Sequence, residues 1–388
     1  MSENEQAPPE PLTGRIVGYG PGPRDPVPTG VFGTGSVGDA VGDGSSGGFR
    51  TSARTPRTHR RRRRRRRLLV LLAVLLAAVG IPLGGYAWAD GRLGHAVDLS
   101  ALPDRPAQGP GTTYLIVGSD SRVGMTAAQR HDLHTGGSAD AGRRTDSMIL
   151  LHTGAHGTSM VSLPRDSWVT IPGYTLPTDG IHHPPAKNKL NAAFALGGPG
   201  LLVRTIEAET GVRIDHYTEI GFGGFVGIVD GVGGVPVCLG KAVHDPKSGE
   251  NLAKGCHTLT GKQALAFVRQ RHQEANGDLG RTQNQQKFLA ALVKKAASPG
   301  VLKDPEKVWA TAEAGLASLT VDDATHPADL LTLFRTMKGG GADAVHLNVP
   351  IAGHGLHTAK GDAVIWNRAK ARRLFAAIRA DRRVTAAP

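Results

Sequence analysis

The sequence predicts an α/β domain of roughly 280 residues, enough for one large core. Short apolar runs at 114–117, 148–153 and 160–163 have the length of buried strands. Longer segments such as 199–210 and 221–232 have helical spacing. The alternation of the two types indicates a layered fold that combines helices with a sheet.

A transmembrane helix is predicted ahead of this domain. The run Leu68–Trp88 is predominantly apolar and uncharged, and eight consecutive arginines, Arg60–Arg67, precede it. About 20 residues cross a bilayer core, and basic residues stay on its cytoplasmic side. We therefore expect 68–89 to cross the cell membrane once, with 1–67 cytoplasmic and 90–388 extracytoplasmic. A cleaved signal peptide is the alternative, although its basic region would not normally lie this far into the chain.

The N-terminal tail, 1–67, is predicted to be disordered because it is rich in Gly, Pro, Ser and Thr and poor in large apolar residues. It holds 13 basic and 6 acidic residues, about half of the net charge of +13. Anionic lipid explains arginines beside a bilayer. Nucleic acid is the rival partner, but the tail has no aromatic interleaving, zinc spacing or helix-turn-helix pattern, so no specific nucleic-acid binding is expected.

A linker at 90–111 is expected to join the membrane helix to a domain at 112–383. The chain has two cysteines, Cys238 and Cys256, both in this domain. Outside the cell such a pair favours a structural disulfide. A redox or metal-binding pair is the alternative, but there is no CxxC spacing.

Charged residues flank the first three strands of the domain. Asp120 follows the first strand, Asp146 precedes the second and Arg165 follows the third. In an antiparallel meander these three ends share one edge, so we expect the side chains to converge. The alternative is that they are ordinary charges at solvated strand ends. Two aspartates without neighbouring histidines or thiols suit a hard cation such as Mg²⁺.

A second charged cluster surrounds a Gly-Asp-x-Gly turn. Arg269 and Arg271 end one predicted helix, Asp278 caps the next, and Arg281 lies in its first turn. Guanidinium groups and the free N–H groups of a helix N-terminus both bind phosphate oxygens. The cluster therefore predicts an anion site.

The direction of Arg281 supports this anion site. Arg281 and Gln285 continue the apolar face of the predicted helix, so both are expected to point inward. An inward arginine without an anion is costly, which favours a bound phosphate. An ion pair to Asp278 or Asp166 is the alternative.

Taken in order, these segments resemble the LytR-CpsA-Psr family of membrane-anchored cell-wall ligases, in a form typical of high-GC Gram-positive bacteria. The resemblance runs from about Thr113 to about Asp381. The strings that carry it are Gly118–Arg122, Arg144–Met148, Ser162–Asp166, Lys189–Ala192, Asp230–Val235 and Arg269–Gln286.

The resemblance implies a central, mainly antiparallel or mixed sheet flanked by helices, with an apolar tunnel for a prenyl chain. It also implies a phosphotransferase that moves an anionic glycopolymer from a polyprenyl-pyrophosphate carrier to a peptidoglycan hydroxyl, forming a phosphodiester. A prenyl-pyrophosphate hydrolase using the same residues and a membrane-bound envelope-sensing regulator are the alternatives.

The resemblance also implies roles for individual residues. The expected metal ligands for Mg²⁺ or Mn²⁺ are Asp120 and Asp146. The expected pyrophosphate-binding residues are Arg144, Arg165, Arg269, Arg271 and Arg281, assisted by Lys189, Asn191 and Gln285. The remaining members of the catalytic set are Asp278, which would orient the arginines, and Arg122, which would support a metal aspartate or contact the headgroup. Asn284 stands where the family often has a further arginine, so the outer edge of the site is expected to be less cationic.

Overall fold

The computed structural model describes residues 70, 80 and 83–384, apart from 123–124, 136–143, 177–179, 246–249, 270–277 and 340–343. The predicted tail and most of the predicted membrane helix lie outside these residues. In the described part of the chain, no helix combines the length and the apolar character needed to cross a membrane.

Strands and helices are interspersed along the sequence of the domain. The strands are β1 (Gly94–Val97), β2 (Thr112–Ser119), β3 (Thr145–Gly154), β4 (Gly157–Ser162), β5 (Trp168–Ile171), β6 (Tyr174–Thr175), β7 (His182–His183), β8 (Ala186–Lys189), β9 (His216–Ile220), β10 (Val235–Leu239), β11 (Val243–Asp245), β12 (Glu250–Leu252), β13 (Gly255–Leu259), β14 (Leu319–Asp322), β15 (Val345–Asn348), β16 (Ile351–Leu356) and β17 (Ala363–Trp366). The helices are α1 (Ala127–Asp132), α2 (Leu190–Thr210), α3 (Phe222–Gly231), α4 (Gly261–Arg269), α5 (Asp278–Ala296), α6 (Pro299–Leu302), α7 (Pro305–Ser318), α8 (Pro327–Gly339) and α9 (Arg368–Arg379).

Seven strands form the central sheet, in the order β1-β14-β9-β2-β3-β4-β15. The predicted meander is confirmed, because β3 pairs antiparallel with both β2 and β4. The pairs β1–β14, β2–β9 and β4–β15 are parallel. The expectation of a mixed sheet is therefore confirmed, but antiparallel pairing does not predominate within it, since β14–β9 is the remaining antiparallel pair.

The sheet is covered on both faces, and strand alternation decides which residues face which layer. Leu115, Val117, Met148, Leu150 and Val161 belong to one buried cluster, which α2 and α9 complete. The alternate residues Tyr114, Ile116, Ile149, Leu151 and Met160 belong to another, which Leu333 of α8 and Leu289 of α5 join. Burial on both faces explains why β2 reads as a continuous apolar run.

A third cluster joins α3, α4 and α5 to the β10–β13 hairpin. Cys238 and Cys256 are paired across this hairpin. They form a disulfide with an S–S distance of 2.02 Å, so the predicted disulfide is confirmed.

The helix boundaries follow local signals. A capping box precedes α4: Thr260 N donates to Gln263 Oε1 at 3.1 Å, and Gln263 N donates to Thr260 Oγ1 at 3.5 Å. In α2 the backbone at Gly197 and Gly198 departs from helical angles, immediately before Pro199. This break separates the helical stretch that begins at Leu190 from the helix that the sequence predicts at 199–210.

Parts of the chain on either side of the main strands also enter the fold. Residues 94–97, in the segment expected to be a linker, form β1 and pair with β14. Arg105 follows in the same segment, and its Nη2 lies 2.8 Å from Oε1 of Glu207 in a buried ion pair. Near the other end, β15 pairs with β4, and α9 contributes Phe375 and Ile378 to the core.

Candidate active site

A cavity of about 860 Å³ opens where β2 ends, β3 begins and β4 ends. Its polar lining collects most of the residues that the sequence singled out. These are Asp120, Arg122, Arg144, Asp146, Arg165, Lys189, Asn191, Arg269 and Gln285. The predicted convergence of charged strand ends is therefore confirmed as a matter of geometry.

Asp120 is held by the backbone at the start of the second strand. Its N–H donates to Arg144 O at 2.9 Å, and Arg144 N–H donates to Asp120 Oδ1 at 2.6 Å. Burial raises the pKa of the Asp120 carboxyl and the nearby Asp146 carboxylate adds to this rise, whereas the hydrogen bond from Arg144 lowers it. Two neighbouring carboxylates in this partly buried place favour a cation between them.

Arg165 is fixed between two carboxylates. Its Nη1 lies 2.8 Å from Asp146 Oδ1, and its Nε lies 3.3 Å from Asp166 Oδ2. The other oxygen of Asp166 lies 3.1 Å from Lys189 Nζ. Asp166 thus positions the charged side chains of Arg165 and Lys189 at the cavity. The sequence analysis considered Asp166 as an ion-pair partner of Arg281 and did not predict its contact with Lys189.

Arg122 also lines the cavity, and within the described part of the chain only some of its guanidinium N–H groups are hydrogen-bonded. Its Nη2 donates to Thr135 O at 3.0 Å. Its Nε is buried and has no hydrogen-bond partner among the described residues. Because a buried unpaired donor is costly, this geometry suits an anionic ligand.

Arg269 is held by contacts that the sequence did not predict. Its guanidinium donates to the carbonyls of Leu133 and His134, each at 3.3 Å, and lies 4.9 Å from the ring centroid of Phe222. The segment after α1 and the start of α3 therefore fix this arginine at the end of α4.

Asn191 and Gln285 complete the lining from two helices. Asn191 N–H donates to Arg165 O at 3.0 Å, and Gln285 Nε2 donates to Val268 O at 3.1 Å. Arg271 lies outside the described residues, as do the side chains of Asp278, Arg281 and Asn284. Their predicted roles stay predictions, although α5 does begin at Asp278.

Lys360 also lines the cavity and was missed by the sequence analysis. It lies in the turn between β16 and β17. That hairpin is attached to the loop that carries Arg165, because Val364 N–H donates to Asp166 O at 2.9 Å and Trp366 Nε1 donates to Ser167 Oγ at 2.8 Å. Only this long-range attachment distinguishes Lys360 from other surface lysines.

Below the charged mouth, the cavity is apolar. The sheet, α2, α3, α4 and α5 contribute Ile116, Ile149, Ala192, Ala195, Leu196, Phe222, Phe225, Leu265, Val268, Phe288 and Leu289. One cavity thus offers arginine and lysine at its mouth and aliphatic and aromatic side chains inside. This combination suits an amphiphile with an anionic head.

The donors available for a metal are few. Among the described residues, no group of three or more His, Cys, Asp or Glu side chains is arranged to hold a metal ion. The aspartate pair alone fits a cation that takes only part of its ligands from protein and the rest from water or phosphate oxygens, as Mg²⁺ does.

Comparison with known proteins identifies similar sequences and a shared fold. The chain is 39% identical over 293 residues to a probable cell wall biosynthesis protein LcpB and 32% identical over 259 residues to the cell wall biosynthesis protein LcpA, both of Corynebacterium glutamicum. These matches cover 75% and 62% of this chain. They span 66% and 50% of the two relatives' own lengths.

A third relative is the polyisoprenyl-teichoic acid–peptidoglycan teichoic acid transferase TagU of Bacillus mycoides, 38% identical over 157 residues. That match covers 40% of this chain and 48% of TagU.

Solved structures show the same fold. The LytR-Csp2A-Psr enzyme from Actinomyces oris superposes with a TM-score of 0.56 at 23% identity, covering 74% of this chain and 96% of that one. TagV of B. subtilis gives 0.52 at 21% identity, covering 72% and 100%. The model of the LytR_cpsA_psr family matches residues 95–372, which include every described residue of the candidate site. The chain therefore belongs to the LytR-CpsA-Psr family.

Proposed function

We propose that this protein is a phosphotransferase that moves an anionic glycopolymer from a polyprenyl-pyrophosphate carrier to a hydroxyl of peptidoglycan. The observation that carries the proposal is the single cavity whose mouth is cationic and whose interior is apolar. A lipid-linked pyrophosphate needs both environments at once. Family membership and the names of the relatives, which include a teichoic acid transferase and cell wall biosynthesis proteins, support the same reaction.

In this reaction the acceptor oxygen attacks the phosphorus next to the glycan. The bond from that phosphorus to the bridging oxygen breaks, the hydroxyl loses its proton, and prenyl phosphate leaves. Arg122, Arg165 and Arg269 all line the cavity and would stabilise the charge that develops on the phosphate oxygens. Asp166 keeps Arg165 and Lys189 in place.

Asp120 and Asp146 would hold Mg²⁺ or Mn²⁺, which suits their oxygen donors and their mutual repulsion. When bound, such a cation neutralises pyrophosphate charge and assists the leaving group. The remaining ligands would be water and the pyrophosphate itself.

The enzyme would work at the outer face of the cell membrane. The apolar run Leu68–Trp88, preceded by eight arginines, supports a single-pass anchor with a cytoplasmic N-terminus. The Cys238–Cys256 disulfide supports an oxidising compartment for the domain. A tethered domain would meet carrier lipid in the membrane that holds it.

The test is conjugation by the full-length protein in detergent, supplied with a lipid-pyrophosphate glycan, peptidoglycan oligomers and Mg²⁺. We expect a covalent glycan–peptidoglycan product that chelation of the cation abolishes. Replacing Arg269 with alanine should remove the product while the circular dichroism spectrum is retained. Release of free polymer without dependence on the acceptor would instead identify a hydrolase.

The regulator alternative makes a different prediction. If the basic tail acted on nucleic acid, deleting residues 1–59 would abolish function in cells. We expect that deletion to leave transfer intact, because the described residues that line the cavity all lie beyond residue 115.

A further inference from the structure

A second cavity, of about 390 Å³, shares the lining residue Phe288 with the first. Its walls come from the disulfide-linked hairpin, α4 and α5, and they include Cys238, Leu239, Val243, Phe267, Phe288 and Ala291. None of the charged residues at the mouth of the first cavity lines it. Neither the proposed transfer nor the metal site uses this space.

Phe288 is the side chain that separates the two cavities, because it lines both. Along α5, Gln285 lines the first cavity, Phe288 lines both, and Ala291 lines the second. Leu289 also lines the first cavity and Lys287 the second, so the two cavities lie against neighbouring faces of α5, with Phe288 on the border between them. The aromatic ring lies where one ends and the other begins.

Neighbouring aromatic rings hold Phe288 in that place. On the side of the first cavity, the Phe225 ring centroid lies 5.4 Å away. On the side of the second cavity, the Phe267 ring centroid lies 6.3 Å away. Phe288 is only 2% exposed, so packing on both sides fixes its ring.

We infer that Phe288 is the wall between the two cavities and sets the length of isoprenoid chain that the first cavity accepts. This inference rests on the proposed function, since it takes a prenyl carrier as the ligand. An isoprenoid chain that enters the cavity past the arginines lies along apolar side chains until its end contacts the Phe288 ring. The second cavity, which is lined by aliphatic and aromatic side chains together with Lys241 and Lys287, opens to the isoprenoid chain when a smaller side chain replaces phenylalanine.

The test compares the lengths of isoprenoid chain that two matched variants bind. Full-length protein in detergent is titrated with polyprenyl pyrophosphates of increasing length, and Kd is measured for each. For the wild type, each added isoprene unit should tighten binding several-fold until the first cavity is full, after which Kd levels off. Phe288→Leu should move that plateau to longer chains, because it joins the two cavities.

Phe267→Leu is the control. It also shortens a buried aromatic residue of the same cluster, but Phe267 lines the second cavity only, so the plateau should stay where the wild type has it. Phe288→Met, a less disruptive change, should give an intermediate shift, and its Tm checks that the fold is intact.

If Kd depended on isoprenoid length but levelled off at the same length in the wild type and in Phe288→Leu, the inference would be overturned. The proposed function would still stand. An equal shift in Phe267→Leu would also overturn the inference, since general loosening of the cluster would then be the cause. If the wild type bound no chain of any length, the proposed carrier itself would be wrong.

Discussion

At the scale of single residues, the site depends on aspartate carboxylates that hold arginine and lysine side chains in position. The sequence predicted that Asp120, Asp146 and Arg165 converge, because strand alternation and short connections are local signals. It could not predict that carbonyls of Leu133 and His134 hold Arg269, since backbone acceptors leave no pattern in the residue types. Lys360 was missed for a related reason: tertiary pairing alone brings it to the cavity.

Replacing Arg165 with lysine should lower kcat/KM for transfer by roughly a hundredfold, which is the cost of misplacing a group at a reacting centre. Lysine keeps the charge but cannot contact Asp146 and Asp166 together as the planar guanidinium does. Steady-state kinetics of conjugation measure the effect. Arg204→Lys is the matched control, because Arg204 donates to Gly173 O and does not line the cavity. Equal activity of the two variants would contradict the role given to Arg165.

Replacing Lys360 with glutamate should raise KM for the anionic donor roughly tenfold and change kcat little. An exposed charge at the mouth attracts the donor before reaction, and its effect is screened by salt. The difference from wild type should therefore shrink as ionic strength rises. Lys370→Glu, which reverses an exposed lysine on α9 outside the cavity, should leave KM unchanged. A salt-independent effect would contradict this electrostatic explanation.

At the scale of elements, the β3–β4 hairpin is joined to the end of the chain. The ring nitrogens of buried His152 lie 3.0 Å from Thr113 Oγ1 and 3.4 Å from Asp381 Oδ1, and Asp381 also accepts a hydrogen bond from Ala155 N–H. Asp381 lies just beyond the end of α9, and no pattern in the sequence marks a lone aspartate for this contact.

This joint predicts a pH dependence of stability. Burial lowers the pKa of His152, and the nearby carboxylates of Asp381 and Asp215 only partly oppose it. Below an ordinary histidine pKa of about 6.5, the unfolded chain binds a proton that folded His152 excludes, so acidification destabilises the fold. His152→Gln should lose less stability than wild type as the pH falls from 6.5 toward the lowered pKa. Chemical denaturation at a series of pH values measures this, and parallel curves would contradict it.

At the scale of the whole molecule, the sequence predicted an α/β domain with a meander at its centre, and the structure agrees. It did not predict how many pairs of neighbouring strands in the sheet are parallel. Strands far apart in the chain, such as β2 and β9, pair through crossover connections, and local sequence patterns do not encode these. The same limit applies to the two cavities, which form only when α3, α4, α5 and the disulfide-linked hairpin pack together.

The central claim is that one cavity transfers a phosphoglycan from a lipid to peptidoglycan. The most direct measurement follows a donor with radiolabelled phosphorus in the phosphate next to the glycan, incubated with the full-length protein, Mg²⁺ and peptidoglycan oligomers. We expect the label to become covalently attached to peptidoglycan while unlabelled prenyl phosphate is released. Label that appears only as soluble glycan phosphate, with or without acceptor, would contradict the claim.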